Sequence, residues 1–279
     1  DNFGRDARSI MNTLGNIKDP EQVEIASKDE NVEKLNIPVS KQAKYWFKLF
    51  LNRPINILMK WNTKFSYPKS TRSLIKGSRH YSLNGSSLPS VTTILSATKS
   101  EEDKAALLAW KHRVGNVVAD RIKKEASARG TSMHSYIEKF LYGKLNQELL
   151  EDENKSRKMA EEIIDKGLKN KLLEIWGSES TIYYPGKYAG TADCIGVYEG
   201  KETILDFKQS NKPKKEDYIE DYFLQIGAYS LAHNTVYNSN ITQGVILLCT
   251  VDRLFQNFKI EGNELINFQN KFLERVEKF

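Results

Sequence analysis

The run Gly190-Thr191-Ala192-Asp193-Cys194-Ile195-Gly196-Val197-Tyr198-Glu199-Gly200-Lys201-Glu202-Thr203-Ile204-Leu205-Asp206-Phe207-Lys208-Gln209 reads as two β-strands, Thr191–Tyr198 and Lys201–Gln209. β-Branched and apolar residues climb to Glu199-Gly200 and resume beyond it, which marks a hairpin. With Glu199-Gly200 as a two-residue turn, Tyr198 pairs with Lys201, and counting outward sets Asp193 directly opposite Asp206. A three-residue turn with a glycine bulge, which spares Glu199 a positive φ, shifts the pairing by one. In the first register the two carboxylates repel, because opposed Cβ atoms lie roughly 4.5–5.5 Å apart, unless a cation lies between them.

Hard oxygen ligands of this kind suit Mg²⁺ or Mn²⁺, one ion or two, which leave other coordination positions to water and phosphate. Lys208 lies two residues beyond Asp206, so strand periodicity places its ammonium on the same face while Phe207 points the other way. Phosphodiester hydrolysis needs such a set: a metal to polarise the phosphoryl oxygen and acidify water, and a cation to orient that water or stabilise developing charge. An Asp and a Lys two apart on a strand are also common as a solvated surface pair, so the triad alone does not decide.

The surroundings add to it. Asp193…Asp206-Phe207-Lys208 resembles the PD-(D/E)xK nuclease signature in its D-x-K form. Gly130-Thr131-Ser132-Met133-His134 is similar to the G-x-x-x-H helix that precedes the core in the RecB-type exonuclease branch, and Gln225-Ile226-Gly227-Ala228-Tyr229 to the Q-x-x-x-Y that follows it. Leu88-Pro89-Ser90-Val91-Thr92-Thr93-Ile94-Leu95 resembles a stretch upstream of that helix in the mitochondrial genome maintenance exonuclease group and its phage and bacterial relatives. The motifs occur in the family's order and span about residues 80–250.

The resemblance implies an α/β fold with a restriction-endonuclease-like PD-(D/E)xK core, a central mixed β-sheet flanked by helices. It implies a metal-dependent DNA exonuclease that acts on single-stranded DNA or flaps in replication, repair or recombination. Asp193, Asp206, the Phe207 carbonyl and His134 would hold the metal, with Glu179 near a second ion. Lys208 would position the attacking water, and Gln225 and Tyr229 would hydrogen-bond around the site or to the scissile strand. Taken alone, His134 beside Met133, Ile137, Phe140 and Leu141 reads more as a structural or exposed histidine, and Gln225 and Tyr229, one helical turn apart, as a core face. Two rivals stand beside this reading: a structure-specific or restriction-like endonuclease, and a non-catalytic nucleic-acid-binding module, which has no need of opposed carboxylates.

Only Cys194 and Cys249 are present, without C-x-x-C spacing, so no self-contained four-cysteine iron–sulfur cluster and no disulfide framework is expected. There is no G-x-x-x-x-G-K-[ST] loop, hence no nucleotide cofactor is expected and a helicase or polymerase would be a separate partner. No run approaches the apolar length of a membrane span. Asp1–Glu33 holds several acids and neither an apolar signal core nor an Arg-rich presequence, and a chain opening on Asp leaves a removed leader open. The expected location is intracellular, in the mitochondrial matrix or a bacterial or phage-infected cytoplasm.

Charge is unevenly spread over the 279 residues. From Lys34 to Ser100 there are twelve Lys or Arg and no Asp or Glu, so a chain of net charge +6 is a strongly basic segment joined to an acidic remainder. A polyanion is the natural partner. Ser40 can cap a helix to about Leu51 that carries Lys41, Lys44 and Lys48 on one face. Tyr45, Trp46, Trp61, Phe65 and Tyr67 interleave with the cations, as single-strand binding by stacking requires, and Arg72 adds a guanidinium. The same aromatics also suit packing on the core, and a basic amphipathic helix also suits an anionic membrane surface. The chain is accordingly divided into a basic, partly helical arm (1–75) and a nuclease domain (76–279).

The remaining expectations concern scaffold. Asn84-Gly85 marks a second hairpin. Ser100 with Asp103 caps a helix through about Lys124, a second helix carries His134, and Asp152–Trp176 is a third, with Met159, Ile163, Leu168, Leu172 and Ile175 at helical spacing. The Gln225 helix, strands at Gly244–Val251 and Phe255–Ile260, and a helix from Asn263 complete the chain.

Overall fold

The computed structural model describes residues 59–83, 85–144 and 155–279. The expected helix from Ser40 to Leu51, with Lys41, Lys44, Trp46 and Lys48, lies outside them, as does Asn84 of the second hairpin. In chain order the elements begin with β1 (Lys60–Trp61), β2 (Thr71–Ile75), β3 (Ser78–Leu83) and β4 (Ser86–Pro89). Helices α1 (Val91–Ala97), α2 (Glu101–Val114), α3 (Asn116–Leu141) and α4 (Lys155–Ile163) follow, the last running into a π-helical turn at Ile164–Leu168. Then come β5 (Leu172–Tyr184), β6 (Tyr188–Tyr198), β7 (Lys201–Ser210), α5 (Glu220–Tyr237), β8 (Gln243–Thr250), β9 (Phe255–Glu261) and α6 (Asn263–Lys278).

A mixed six-stranded sheet in the order β1-β5-β6-β7-β8-β9 forms the centre, so the α/β expectation holds. β7 and β8 are parallel, joined through α5, while β5, β6 and β7 form an antiparallel meander. Every residue of β8 is buried, as a strand covered on both faces must be. One face packs Ile195, Ile204, Ile246 and Leu248 against Ile94 of α1, Ile226 of α5 and Phe272 of α6. The other packs Cys194, Leu205, Phe207, Val245 and Leu247 against Met133 and Ile137 of α3 and Met159 and Ile163 of α4. β2, β3 and β4 make a separate antiparallel sheet.

Two helix boundaries differ from the sequence reading, each for a local reason. The break expected near Lys124 lies at Gly115, whose φ of 82° is open to glycine at little cost, and α3 then runs unbroken through Gly130 to Leu141. The helix expected through Trp176 ends at Leu168, and Asn170 at φ 60° turns the chain into β5. Leu172 and Ile175 imitated a helical face because β5 slips register twice, between Leu172 and Glu174 and between Ile175 and Gly177. A bulge puts residues three apart on one side of a strand, and both side chains enter the same core cluster. Ser100 does cap α2, accepting from the Asp103 N–H at 3.0 Å.

Candidate active site

Tyr198 pairs with Lys201 as expected, around Glu199 at φ 49° and Gly200 at φ 83°, the two positive angles of a type I′ turn. The ladder runs back only to Cys194–Leu205 and stops one pair short of Asp193 and Asp206. β7 continues past that point on β8 alone, through Ser210–Thr250. The backbone groups of Phe207 therefore find side-chain partners. Its N–H donates to Asp193 Oδ2 at 2.7 Å, and its carbonyl lies 2.8 Å from His134 Nε2. One residue thus ties the first carboxylate and the α3 imidazole to the second carboxylate's strand.

Asp206 is 1% exposed, and its Oδ1 has no hydrogen-bond partner. Its compensation is ionic: the Lys208 ammonium sits against Oδ2 as an ion pair. Burial works against the charge on Lys208, but Asp206 and Asp193 outweigh it and raise its pKa. Lys208 also donates to Gln225 Oε1 at 3.2 Å, Gln225 Nε2 donates to the Tyr229 hydroxyl at 3.2 Å, and the Tyr222 ring lies 5.1 Å from the ammonium. Tyr222, Gln225 and Tyr229 follow one another at helical spacing on α5, a signal in the sequence from which Tyr222 was not picked out. Tyr229 comes this close because β6 offers Gly190: a Cβ there would stand 2.5 Å from Tyr229 Cε1.

Across from this group, His134 Nδ1 lies 3.5 Å from both Glu179 Oε1 and Asp193 Oδ1, and one ligand atom from each of the three residues fits within 4.8 Å. Burial opposes the imidazolium, yet Asp193 and Glu179 together lift the His134 pKa to about 9. Burial pushes the Asp193 carboxyl up to about 6 against the pull of His134. Glu179 reaches the cluster from the middle of β5 at φ 48°, a left-handed angle costing a non-glycine residue on the order of 1–3 kcal/mol. Ser178–Cys194 and Ser180–Ala192 pair on either side, so register sets Glu179 across from Asp193. The bulged strand and the interrupted hairpin place their irregularities side by side.

Of the expected site residues, His134, Glu179, Asp193, Asp206, Phe207, Lys208, Gln225 and Tyr229 converge. Of the expected DNA-contacting residues among those described, Trp61 donates its indole N–H to the Leu141 carbonyl at 2.8 Å and stacks on Tyr142, with centroids 4.7 Å apart. Phe65 and Tyr67 pack on His233 of α5, the tyrosine hydroxyl 3.0 Å from its Nε2, so these rings serve the core. Arg72 is exposed on β2 and donates to Thr191 of β6. The sequence reading also missed Arg129. It donates to Gln209 Oε1 at 2.7 Å and Asn211 Oδ1 at 2.6 Å and so fastens α3 to the end of β7 beside Lys208. Its place immediately before Gly130 was the available signal.

A mixed sheet with helices on both faces, carrying an acidic cluster and a half-buried lysine at the mouth of its central hairpin, is compatible with a nuclease core. The chain is similar to mitochondrial genome maintenance exonuclease 1 of Xenopus tropicalis, 29% identical over 215 residues that cover 72% of this chain and 59% of the relative. It is likewise similar to the proteins of that name from Homo sapiens, 28% identical over 69% of this chain and 58% of the relative, and Mus musculus, 28% over 71% and 60%. These matches bear out the resemblance to that exonuclease group, and the PD-(D/E)xK branch is consistent with them. The chain thus spans less than two thirds of the length of these relatives. No protein-family model matches the chain. A solved crystal structure aligns with 53% of this chain at 18% identity and a TM-score of 0.25.

Proposed function

We propose that this chain is a Mg²⁺- or Mn²⁺-dependent deoxyribonuclease of PD-(D/E)xK type that acts as an exonuclease on single-stranded DNA or flaps. The observation that carries this reading is Asp206, a carboxylate shut away from water whose Oδ1 has no partner and whose Oδ2 meets only the Lys208 ammonium. Buried acceptors left this way are rare and costly, and a cation is the partner that makes the arrangement economical. Asp193, Asp206, the Phe207 carbonyl and His134, with Glu179 beside them, would hold it, and carboxylate, carbonyl and imidazole suit Mg²⁺ or Mn²⁺. A divalent ion in this place supplies Lewis acidity at the phosphoryl oxygen and lowers the pKa of water.

The protein's own groups do the rest. Asp206 and Asp193 keep Lys208 charged, so it serves as a hydrogen-bond donor that orients the attacking water and steadies developing negative charge, and not as a base. Gln225, held by Tyr229, fixes the ammonium at its carbonyl. The Phe207 N–H fixes one oxygen of Asp193. DNA as substrate, and the mitochondrial matrix as setting, draw support from the name of the relatives, which speaks of mitochondrial genome maintenance. The test uses single strands labelled at the 5′ or the 3′ end, incubated with Mg²⁺, with Mn²⁺ and with EDTA. Metal-dependent shortening from an end is expected. Intact strands in both metals would overturn the proposal.

A further inference from the structure

Arg72 leaves the β2 edge, all of whose residues are exposed, and crosses to the central sheet. There its Nη2 donates to Thr191 Oγ1 at 2.8 Å, the same oxygen that lies 3.1 Å from the Tyr81 hydroxyl, and the guanidinium lies 5.7 Å from the Tyr81 ring. One hydroxyl and one ring therefore hold the fork. Among the described residues no carboxylate pairs with it, so a fixed positive charge keeps most of its five donors for something else. Thr191 lies two residues before Asp193 on β6, roughly 7 Å along the strand. Tyr81, a buried residue of the neighbouring small sheet, is near enough to Tyr229 to influence its ionisation, and Tyr229 leads through Gln225 to Lys208. The guanidinium is thus anchored on Thr191, two residues along β6 from Asp193 of the carboxylate cluster.

We propose that Arg72, with Thr191 and Tyr81 as its supports, forms a subsite for the phosphodiester next to the one being cleaved. This rests on the nuclease reading above and assigns a position along the strand to a residue of the basic segment. A guanidinium matches two phosphate oxygens at once, and a preset fork loses little freedom on binding them. The subsite aligns the strand so that the following phosphate arrives at Asp193, Asp206 and Lys208. Arg72 is a positioning residue and takes no part in bond breaking.

The experiment moves one uncharged methylphosphonate linkage stepwise along a short single strand. Binding is read by fluorescence anisotropy in EDTA, and cleavage in Mg²⁺, for the wild-type chain, Arg72→Gln and Arg72→Lys. On the unmodified strand Arg72→Gln should bind about tenfold more weakly, the effect expected of removing a charged hydrogen bond. Neutralising one linkage beside the scissile one should weaken the wild type about tenfold and leave Arg72→Gln unchanged. Arg72→Lys should recover part of the affinity with a weaker preference for that linkage. Thermal melting checks the variants, and Arg72 lies on an exposed strand where a changed side chain should spare the core. If Arg72→Gln and the methylphosphonate act additively at every linkage, in binding and in cleavage alike, the subsite is overturned. If instead the coupling appears in binding while no strand is cut in Mg²⁺, the subsite stands and the nuclease reading falls.

Discussion

A carboxylate as enclosed as that of Asp206, with Oδ1 unpartnered and Oδ2 against the Lys208 ammonium alone, weakens the fold unless a further ion compensates it, so the residue is held at a cost to stability. Asp206→Ala and Lys208→Ala should therefore each abolish turnover while the variants still fold and bind DNA. Removing a ligand or the orienting ammonium should cost several kcal/mol of transition-state stabilisation, about 3 or more. Activity within about tenfold of wild type in either purified variant contradicts the roles given to them. A second prediction concerns His233, buried on α5 between the Tyr67 hydroxyl and Ser239 Oγ, 2.6 Å from Nδ1. Burial depresses its pKa from 6.5 to about 4, with Lys64 pulling the same way. A base whose folded pKa is lowered stabilises the fold fully above its unfolded value, and that contribution fades as pH falls through the folded one. Between pH 6.5 and 4 the protein should lose about 3 kcal/mol on this account, at 1.36 kcal/mol per unit. Denaturant unfolding across that range should show the loss, and His233→Gln should flatten it whatever the variant does to stability at neutral pH. Parallel pH profiles for the two proteins would assign the acid sensitivity elsewhere.

At the scale of elements, two glycines that flank site residues, Gly190 and Gly130, should behave oppositely. Gly190→Ala drives a Cβ into the Tyr229 ring at 2.5 Å, and that ring is the far support of Lys208, so kcat should fall at least tenfold with a modest drop in Tm. Gly130 opens the motif that carries His134, yet a Cβ there meets only Gln209, its Cγ at 3.8 Å, an ordinary approach. Gly130→Ala should raise stability by roughly 0.5–1 kcal/mol, the usual gain within a helix. A destabilised Gly130→Ala would mean that α3 is bent or crowded at this turn in solution. The same elements mark where sequence was legible. The hairpin could be read because alternation runs up to Gly200 and away from it, but its register stayed open, since Glu199 takes a positive φ that its own side chain does not favour; Asn84-Gly85 and Ser100 are local signals of the legible sort. The β5 bulges could not, since Leu172 and Ile175 keep a helical spacing through an irregularity that only the neighbouring β6 imposes. Glu179 reaches His134 from a left-handed backbone position in the regular part of β5, so its place opposite Asp193 follows from pairing and not from its own neighbours in the chain. Trp61 and Phe65 sit among cations and read as stacking platforms, although long-range packing on Tyr142 and His233 claims their rings. The Arg129 bridge to Gln209 joins residues 80 apart, and along the chain only Arg129's place before Gly130 hints at it.

Over the whole molecule, the charge asymmetry and the site ask for the same substrate. Lys41, Lys44 and Lys48 belong to the basic segment from Lys34 to Ser100, which carries no acidic residue. Replacing all three by Gln should weaken DNA binding and flatten its salt dependence, by up to about 0.7 in slope for each phosphate of a single strand that is no longer neutralised. An unchanged slope would mean that these three lysines do not face the DNA. The topology of the substrate gives the sharper test, because it separates the exonuclease from the endonuclease alternative. A site that closes on DNA from outside has no use for an end, and circular and linear strands are then equivalent to it. Here the carboxylates proposed to hold the metal are sunk where β6 and β7 part, with Asp193 only 8% exposed and Asp206 less, so on this proposal a phosphate must be brought inward to meet them. A flexible single strand can be led in past cations, whereas stacked duplex is too stiff and broad to follow. Linear single-stranded DNA should therefore be degraded in Mg²⁺, closed single-stranded circles should resist, and blunt duplex should be cut slowly or only after its ends fray. Equal rates on circles and linear strands would replace the exonuclease by an endonuclease, with Asp193, Asp206 and Lys208 keeping the same chemical duties.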